Sequence, residues 1–108
     1  MILLNKGLQT IGLAYRAGKL ITGEEKVLKM LKSNKLCLVL VAKDASPKTI
    51  EKFQKKAYFY KTPLNLDYTC EELSRSVGKP MAKIIGLLDA GFYKALKANL
   101  NGGAMNES

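Results

Sequence analysis

The chain has 108 residues, a length that suits one domain and is too short for two. Its composition, 47% hydrophobic and 25% charged, is that of an ordinary soluble domain, and no uncharged apolar segment is long enough to span a bilayer. The 18 lysines and arginines outnumber the 9 acidic residues, and the formal net charge of +9 favours nucleic acid or an anionic membrane surface as partner.

The chain opens with a predicted amphipathic helix over residues 2–16. Its apolar residues recur at helical spacing: Leu4, Leu8, Ile11 and Tyr15. Two glycines inside it, Gly7 and Gly12, each cost about 1 kcal/mol relative to alanine, so we expect the helix to pack closely against a neighbour. Gly18 supplies a left-handed stop.

A second helix is predicted to begin after Thr22. Thr22 and Glu25 have the T-x-x-E spacing of a capping box, and Glu24 and Glu25 complement the positive end of the helix dipole. A glycine at the helix start, Gly23, would let the backbone of a polyanion approach the free amides. Lysines follow on the outer surface of this helix: Lys26, Lys29 and Lys32.

The remaining segments alternate strands and helices. LCLVLVA, residues 36–42, predicts a central strand covered on both faces, and Ser46 and Pro47 predict a helix start. Later segments predict a strand at 63–66, a helix at 70–77 ended by Gly78, a strand at 82–88 and a helix after Asp89. The expected order α, α, β, α, β, α, β, α indicates a three-layer α/β/α sandwich around a small mixed sheet of about four strands. Residues 1–98 would form this domain, and residues 99–108 a flexible C-terminal tail.

Catalytic signals are weak. The chain has no histidine, no Walker spacing, and two cysteines, Cys37 and Cys70, that form no CxxC pair. The cysteine usage and the absence of a secretory signal indicate a cytoplasmic protein. Asp44 and Asp67 could form an acid pair for a small RNA-directed enzyme, but no spacing favours this. We therefore expect a binding module with no catalytic residue, metal or cofactor.

Basic residues concentrate in two regions. Residues 1–35 carry seven of them against two acids, and residues 74–85 carry Arg75, Lys79 and Lys83 with no acid. If the start of the second helix and the loop at 78–81 lie side by side, they form one positive rim. The alternative is that these lysines are only a solvated face.

These segments resemble the ribosomal L-seven-Ae and L-thirty-e protein family, including its small bacterial YlxQ-type members. The resemblance covers residues 2–97, and the matching segments are LAYRAGKLITGEEKVLKML, LVLVAKDASPKT, and CEELSRSVGKP followed by a strand and DAGFYKAL. It implies an α/β/α sandwich that binds kink-turns, which are sharply bent RNA helices with tandem sheared G·A pairs. In the family, the first turn of the second helix contacts the guanines, and an LGxAxGIxV loop packs against extruded bases.

The resemblance also implies site residues. The helix pattern G-x-N-E-x-x-K falls on Gly23, Glu25, Lys26 and Lys29, with Glu25 in place of asparagine and Lys26 in place of glutamate. The loop pattern falls on Leu73, Ser76, Val77, Gly78, Lys79, Pro80 and Met81. With their neighbours Glu24, Lys32 and Arg75, these helix and loop residues, apart from Leu73, are the predicted RNA-binding site.

The sequence thus predicts a monomeric RNA-binding protein that recognises a kink-turn or ribosomal RNA, with the ribosome as a further partner and no membrane association. A protein–protein adaptor that uses the same basic surface is the alternative.

Overall fold

The computed structural model describes residues 5–99. Its elements in chain order are α1 (Lys6–Arg16), β1 (Leu20–Thr22), α2 (Glu24–Lys32), β2 (Leu38–Val41), α3 (Pro47–Phe59), β3 (Leu64–Asn65), α4 (Cys70–Val77), β4 (Ile84–Leu87) and α5 (Ala90–Lys97). The four strands form one mixed sheet in the order β1-β4-β2-β3, in which β2 and β3 are parallel and the other pairs are antiparallel.

The helices cover both faces of this sheet. On one face α1 packs against α4 and α5, and Leu40 and Leu87 of the sheet line a small apolar cavity with residues of α1 and α5. On the other face α2 packs over β1 and β4, and α3 over β2. An ion pair of 2.8 Å between Glu24 Oε2 and Lys52 Nζ joins α2 to α3. The predicted three-layer α/β/α sandwich is confirmed.

Sequence patterns predicted the central strand β2 correctly but did not predict the short strand β1. All four residues of β2 are buried, and β2 lies between β4 and β3, so the predicted central strand is confirmed. The expected element order omitted β1. This strand has three residues, too few for a recognisable period, and it exists because Leu20, Ile21 and Thr22 pair with β4.

The predicted capping box at Thr22 and Glu25 is wrong. Thr22 ends β1, Gly23 is the N-cap residue of α2, and no side chain caps this helix. A complete capping box occurs instead in α4, where Thr69 Oγ1 accepts from the Glu72 amide at 3.1 Å and Glu72 Oε1 accepts from the Thr69 amide at 2.9 Å. The same spacing does not produce a cap at Thr22, because the backbone of Thr22 pairs with β4 in the sheet.

The packing of α1 confirms the expectation drawn from its glycines. A Cβ atom at Gly12 would come within 2.9 Å of the Ser76 carbonyl oxygen in α4, and one at Gly7 would overlap Tyr68 Oη. The helix begins at Lys6, capped by Asn5, rather than at residue 2. Residues 1–4 and 100–108 lie outside the described part of the chain, and with them nearly all of the predicted tail.

Candidate nucleic-acid interface

The start of α2 lies directly beside the beginning of β4. The Gly23 amide donates a hydrogen bond of 3.0 Å to the Ile84 carbonyl oxygen, and the preceding Thr22 pairs with Ile85 in the sheet. Ile84 is the first residue of β4 and directly follows the loop after α4. The start of α2 and the loop after α4 are therefore neighbours at one end of the sheet.

The loop after α4, residues 78–83, has a shape determined by internal hydrogen bonds. Gly78 ends α4 in the left-handed conformation, with φ of 69°. Ser74 then anchors both sides of the loop: its carbonyl oxygen accepts from the Lys79 amide at 3.1 Å, and its Oγ accepts from the Ala82 amide at 2.9 Å. Met81 at the tip has a positive φ of 57° and is 69% exposed. The loop thus presents an apolar tip next to lysines.

The first turn of α2 is open to solvent. Gly23 has φ of 107° and ψ of 138°, which favour glycine, whereas a Cβ atom there would meet nothing within 4 Å. Backbone conformation, rather than space, thus accounts for the glycine. The other four helices between residues 5 and 99 begin with a side-chain cap, from Asn5, Ser46, Thr69 and Asp89. The amides at the start of α2 are therefore available to an anionic ligand.

The side chains at the start of α2 divide into two groups. Val27 and Leu31 are fully buried and fix the rotation of the helix, so that Glu25, Lys26 and Lys29 are exposed. The carboxylate of Glu24, unlike that of Glu25, forms an ion pair with Lys52 of α3. The result is a cationic surface in which one of the two carboxylates of the first turn is already neutralised.

Four predicted site residues lie elsewhere. Lys32 is in the last turn of α2, about 9 Å along the helix axis from Lys26. Val77 is 5% exposed and belongs to the core. Arg75 pairs with Glu71 at 3.0 Å and, together with Ser76, borders a surface groove beside α1. The structure therefore does not bring these four side chains to the start of α2.

Two lysines beside the site were missing from the predicted set. The Lys83 carbonyl oxygen accepts a 2.8 Å hydrogen bond from the Ala42 amide, which brings the exposed Lys83 and Lys43 to the same end of the sheet. The available signal was topological: the end of β2 meets the start of β4 when these strands are antiparallel.

Polar groups that could serve catalysis have structural contacts. Asp44 Oδ1 accepts from the Cys70 amide at 2.8 Å and so joins the β2–α3 connection to α4. Burial, followed by the nearby Asp89, raises the pKa of the Cys37 thiol, which favours its neutral form. Within residues 5–99, no three cysteine or acidic side chains are grouped to hold a metal ion, and no helix is long and apolar enough to cross a membrane.

Comparison with known proteins gives consistent matches over nearly the whole chain. A model of the ribosomal protein L7Ae/L30e/S12e/Gadd45 family matches residues 5–97. The chain is 40% identical over 97 residues to a protein named RNA-binding protein YlxQ from Enterococcus faecium, covering 90% of this chain and 93% of that protein. A protein of the same name from Bacillus subtilis is 36% identical over 86 residues, with coverages of 80% and 86%.

Solved structures show the same fold. A Bacillus halodurans protein of unknown function superimposes with a TM-score of 0.86 at 36% identity, covering 91% of this chain and 99% of that one. A 15.5 kD RNA binding protein from Giardia lamblia matches with a TM-score of 0.71 at 16% identity and 86% coverage of both chains. At that identity the likeness is one of fold alone.

Proposed function

The chain belongs to the ribosomal protein L7Ae/L30e/S12e/Gadd45 family, and from this membership we propose that it is a cytoplasmic RNA-binding protein that recognises a kink-turn. The bound RNA would be ribosomal or of similar structure, and the protein would act as a monomer without catalysis. The names of the relatives from Enterococcus faecium and Bacillus subtilis support RNA as the partner.

One observation carries the proposal: the hydrogen bond from the Gly23 amide to the Ile84 carbonyl oxygen. It joins an uncapped helix start to a loop with an exposed apolar tip, and lysines flank both. Side chains cannot enter the narrow, deep major groove of a regular A-form helix, whereas a sharp bend opens that groove and extrudes bases. A combined surface of this kind fits a bent RNA better than a straight one.

Each part of the surface then has a role. Lys26 and Lys29 bind phosphates or donate to guanine O6 and N7, and Glu25 accepts from a guanine amino group. Pro80 and Met81 pack against an extruded base, beside Lys79 and Lys83. Val77 acts through the core, where it supports the loop from beneath.

The direct test is a titration of the protein with a kink-turn duplex and a straight duplex of equal length, each at two ionic strengths. We expect the kink-turn to bind more tightly, with an affinity that falls steeply with salt. Lys29→Ala should weaken kink-turn binding about 10-fold or more, as expected for loss of one base or phosphate contact.

Lys94→Ala is the matched control, because Lys94 is an exposed helical lysine on the opposite face of the sheet. It should leave the affinity nearly unchanged. Equal binding to the kink-turn and to an RNA whose G·A pairs are replaced by Watson–Crick pairs would contradict the kink-turn proposal.

A further inference from the structure

A second distinctive surface lies on α3, outside the site described above. It consists of Lys48, Lys52, Lys55, Tyr58 and Phe59, and we call it the α3 patch. Tyr58 is 87% exposed and Phe59 is 72% exposed, although both side chains are large and aromatic. The core-facing side of α3 is formed by Phe53 and Ala57, which are 0% and 2% exposed. Burial of the helix therefore does not account for the two rings.

The lysines and one ring lie in a single row. Lys48, Lys52, Lys55 and Phe59 are spaced by four, three and four residues, a spacing that places them on one side of an α-helix. Tyr58 lies to one side of this row. Half-buried Tyr60 meets Phe59 edge-on, with ring centroids 4.9 Å apart and planes at 86°, which holds Phe59 in place.

The row is continuous with the start of α2. Lys52 Nζ contacts the Glu24 carboxylate, so the middle of the row lies beside the first turn of α2. From Lys52 the row continues for seven residues, about 10 Å along the helix axis, to Phe59. A strand of RNA that leaves the start of α2 would thus follow the lysines to the rings.

The chemistry of the patch favours nucleic acid over protein. Protein interfaces are enriched in aromatic residues but depleted in lysine, whereas single-stranded nucleic acids bind where aromatic rings stack with bases and cations follow the backbone. The ion pairs of Lys52 with Glu24 and of Lys55 with Glu51 are exposed. Such pairs contribute little to stability. A lysine ammonium group has three donors, so it can hold a phosphate while it keeps its carboxylate partner.

We propose that the α3 patch binds a single-stranded RNA segment that continues from the structured RNA held at the start of α2. Lys48, Lys52 and Lys55 hold its phosphates, and the rings of Tyr58 and Phe59 stack with its bases. This inference rests on the proposed RNA-binding function, which it extends from the bent helix to its flanking strand.

The test uses four RNAs: a blunt kink-turn duplex, two versions of it that carry a uridine extension of about eight nucleotides on one strand or on the other, and the oligouridine alone. The extension is within the range of lengths that one small domain covers. The native chain is compared with the double variant Tyr58→Ala/Phe59→Ala. Leu13→Ala is the control, because Leu13 is a large apolar residue 51% exposed on α1.

We expect the extension to tighten binding to the native chain about 10-fold or more, in the range of one stacked base. The double variant should lose this gain in affinity and still bind the blunt duplex normally. Leu13→Ala should keep both the gain from the extension and the affinity for the blunt duplex. An extension that adds nothing, or a gain that survives in the double variant, would overturn the inference while leaving the proposed function intact.

Failure of the blunt kink-turn to bind would instead count against the proposed function. The titration with oligouridine alone would then decide whether the α3 patch binds single-stranded RNA. Oligouridine binding that the double variant weakens would keep the assignment of single-stranded RNA to the α3 patch, and no oligouridine binding would overturn it. Self-association of the native chain that the double variant abolishes, with no change in RNA affinity, would assign the rings to a second copy of the chain and likewise overturn it.

Discussion

At Gly7, the first turn of α1 lies directly against the phenol of Tyr68. A Cβ atom at this position would overlap Tyr68 Oη and would come within 3.0 Å of Asn5 Oδ1. Tyr68 is 5% exposed, so its ring has little room to move. Burial, then the nearby Asp67 and Glu72, raise the pKa of this phenol, which therefore packs in its neutral form.

We expect Gly7→Ala to lower the free energy of unfolding by about 1–2 kcal/mol, because the cost of overpacking exceeds the gain in helix propensity. In a Tyr68→Phe background, which removes the overlapping oxygen, the same substitution should cost clearly less, with only the close contacts to Asn5 Oδ1 and the phenyl ring remaining. Urea unfolding of the four proteins in this cycle measures both effects. An equal cost of Gly7→Ala in the two backgrounds would show that Tyr68 is not its cause.

At the scale of the elements, two threonines with the same T-x-x-E spacing have different roles. Thr69 caps α4, and Thr22 pairs within β1. Valine keeps the branched shape of threonine and removes its hydroxyl group. Thr69→Val should therefore destabilise the protein by about 1 kcal/mol, the usual value of an N-cap, and Thr22→Val should have little effect.

Thermal unfolding of the two variants measures this difference directly. A larger loss of stability in Thr22→Val than in Thr69→Val would contradict the assignment of the caps.

The same two threonines show how much of the fold the sequence can predict. Helices with a local start signal, such as Ser46 before Pro47, and the strand at β2 follow from composition and spacing alone. The strand β1 does not, because three residues become a strand only when β4 is present to pair with them. Tertiary pairing also removes the apparent cap at Thr22, which no local pattern reveals.

The candidate site divides in the same way. The helix part, from Gly23 to Lys29, could be predicted because its residues are consecutive and the family resemblance marks them. In the loop part, helical rotation buries Val77 and turns Ser76 and Arg75 toward α1, which a linear pattern cannot show. Lys43 was missed because it joins the site through the sheet, where Ala42 bonds to Lys83.

At the scale of the whole molecule, the central claim is that one end of the sheet is the RNA-binding surface, rather than the overall charge of +9. Four exposed lysines of this end serve for the test: Lys26, Lys29, Lys79 and Lys83. A charge-matched set lies away from it, with Lys94 and Lys97 on α5, across the sheet from α2, and Lys19 and Lys35 just before β1 and β2, at the opposite end of the sheet. Replacing either set with alanine lowers the net charge equally.

The most direct measurement is the salt dependence of kink-turn binding by the native chain and these two charge-matched variants. Each lost phosphate contact lowers the slope of log K against log salt by about 0.9, so the first variant should lose roughly 3–4 from its slope together with its preference for a kink-turn over a straight duplex. The second variant should keep both properties. Equal losses in the two variants would contradict a localised surface and would leave only nonspecific attraction by net charge.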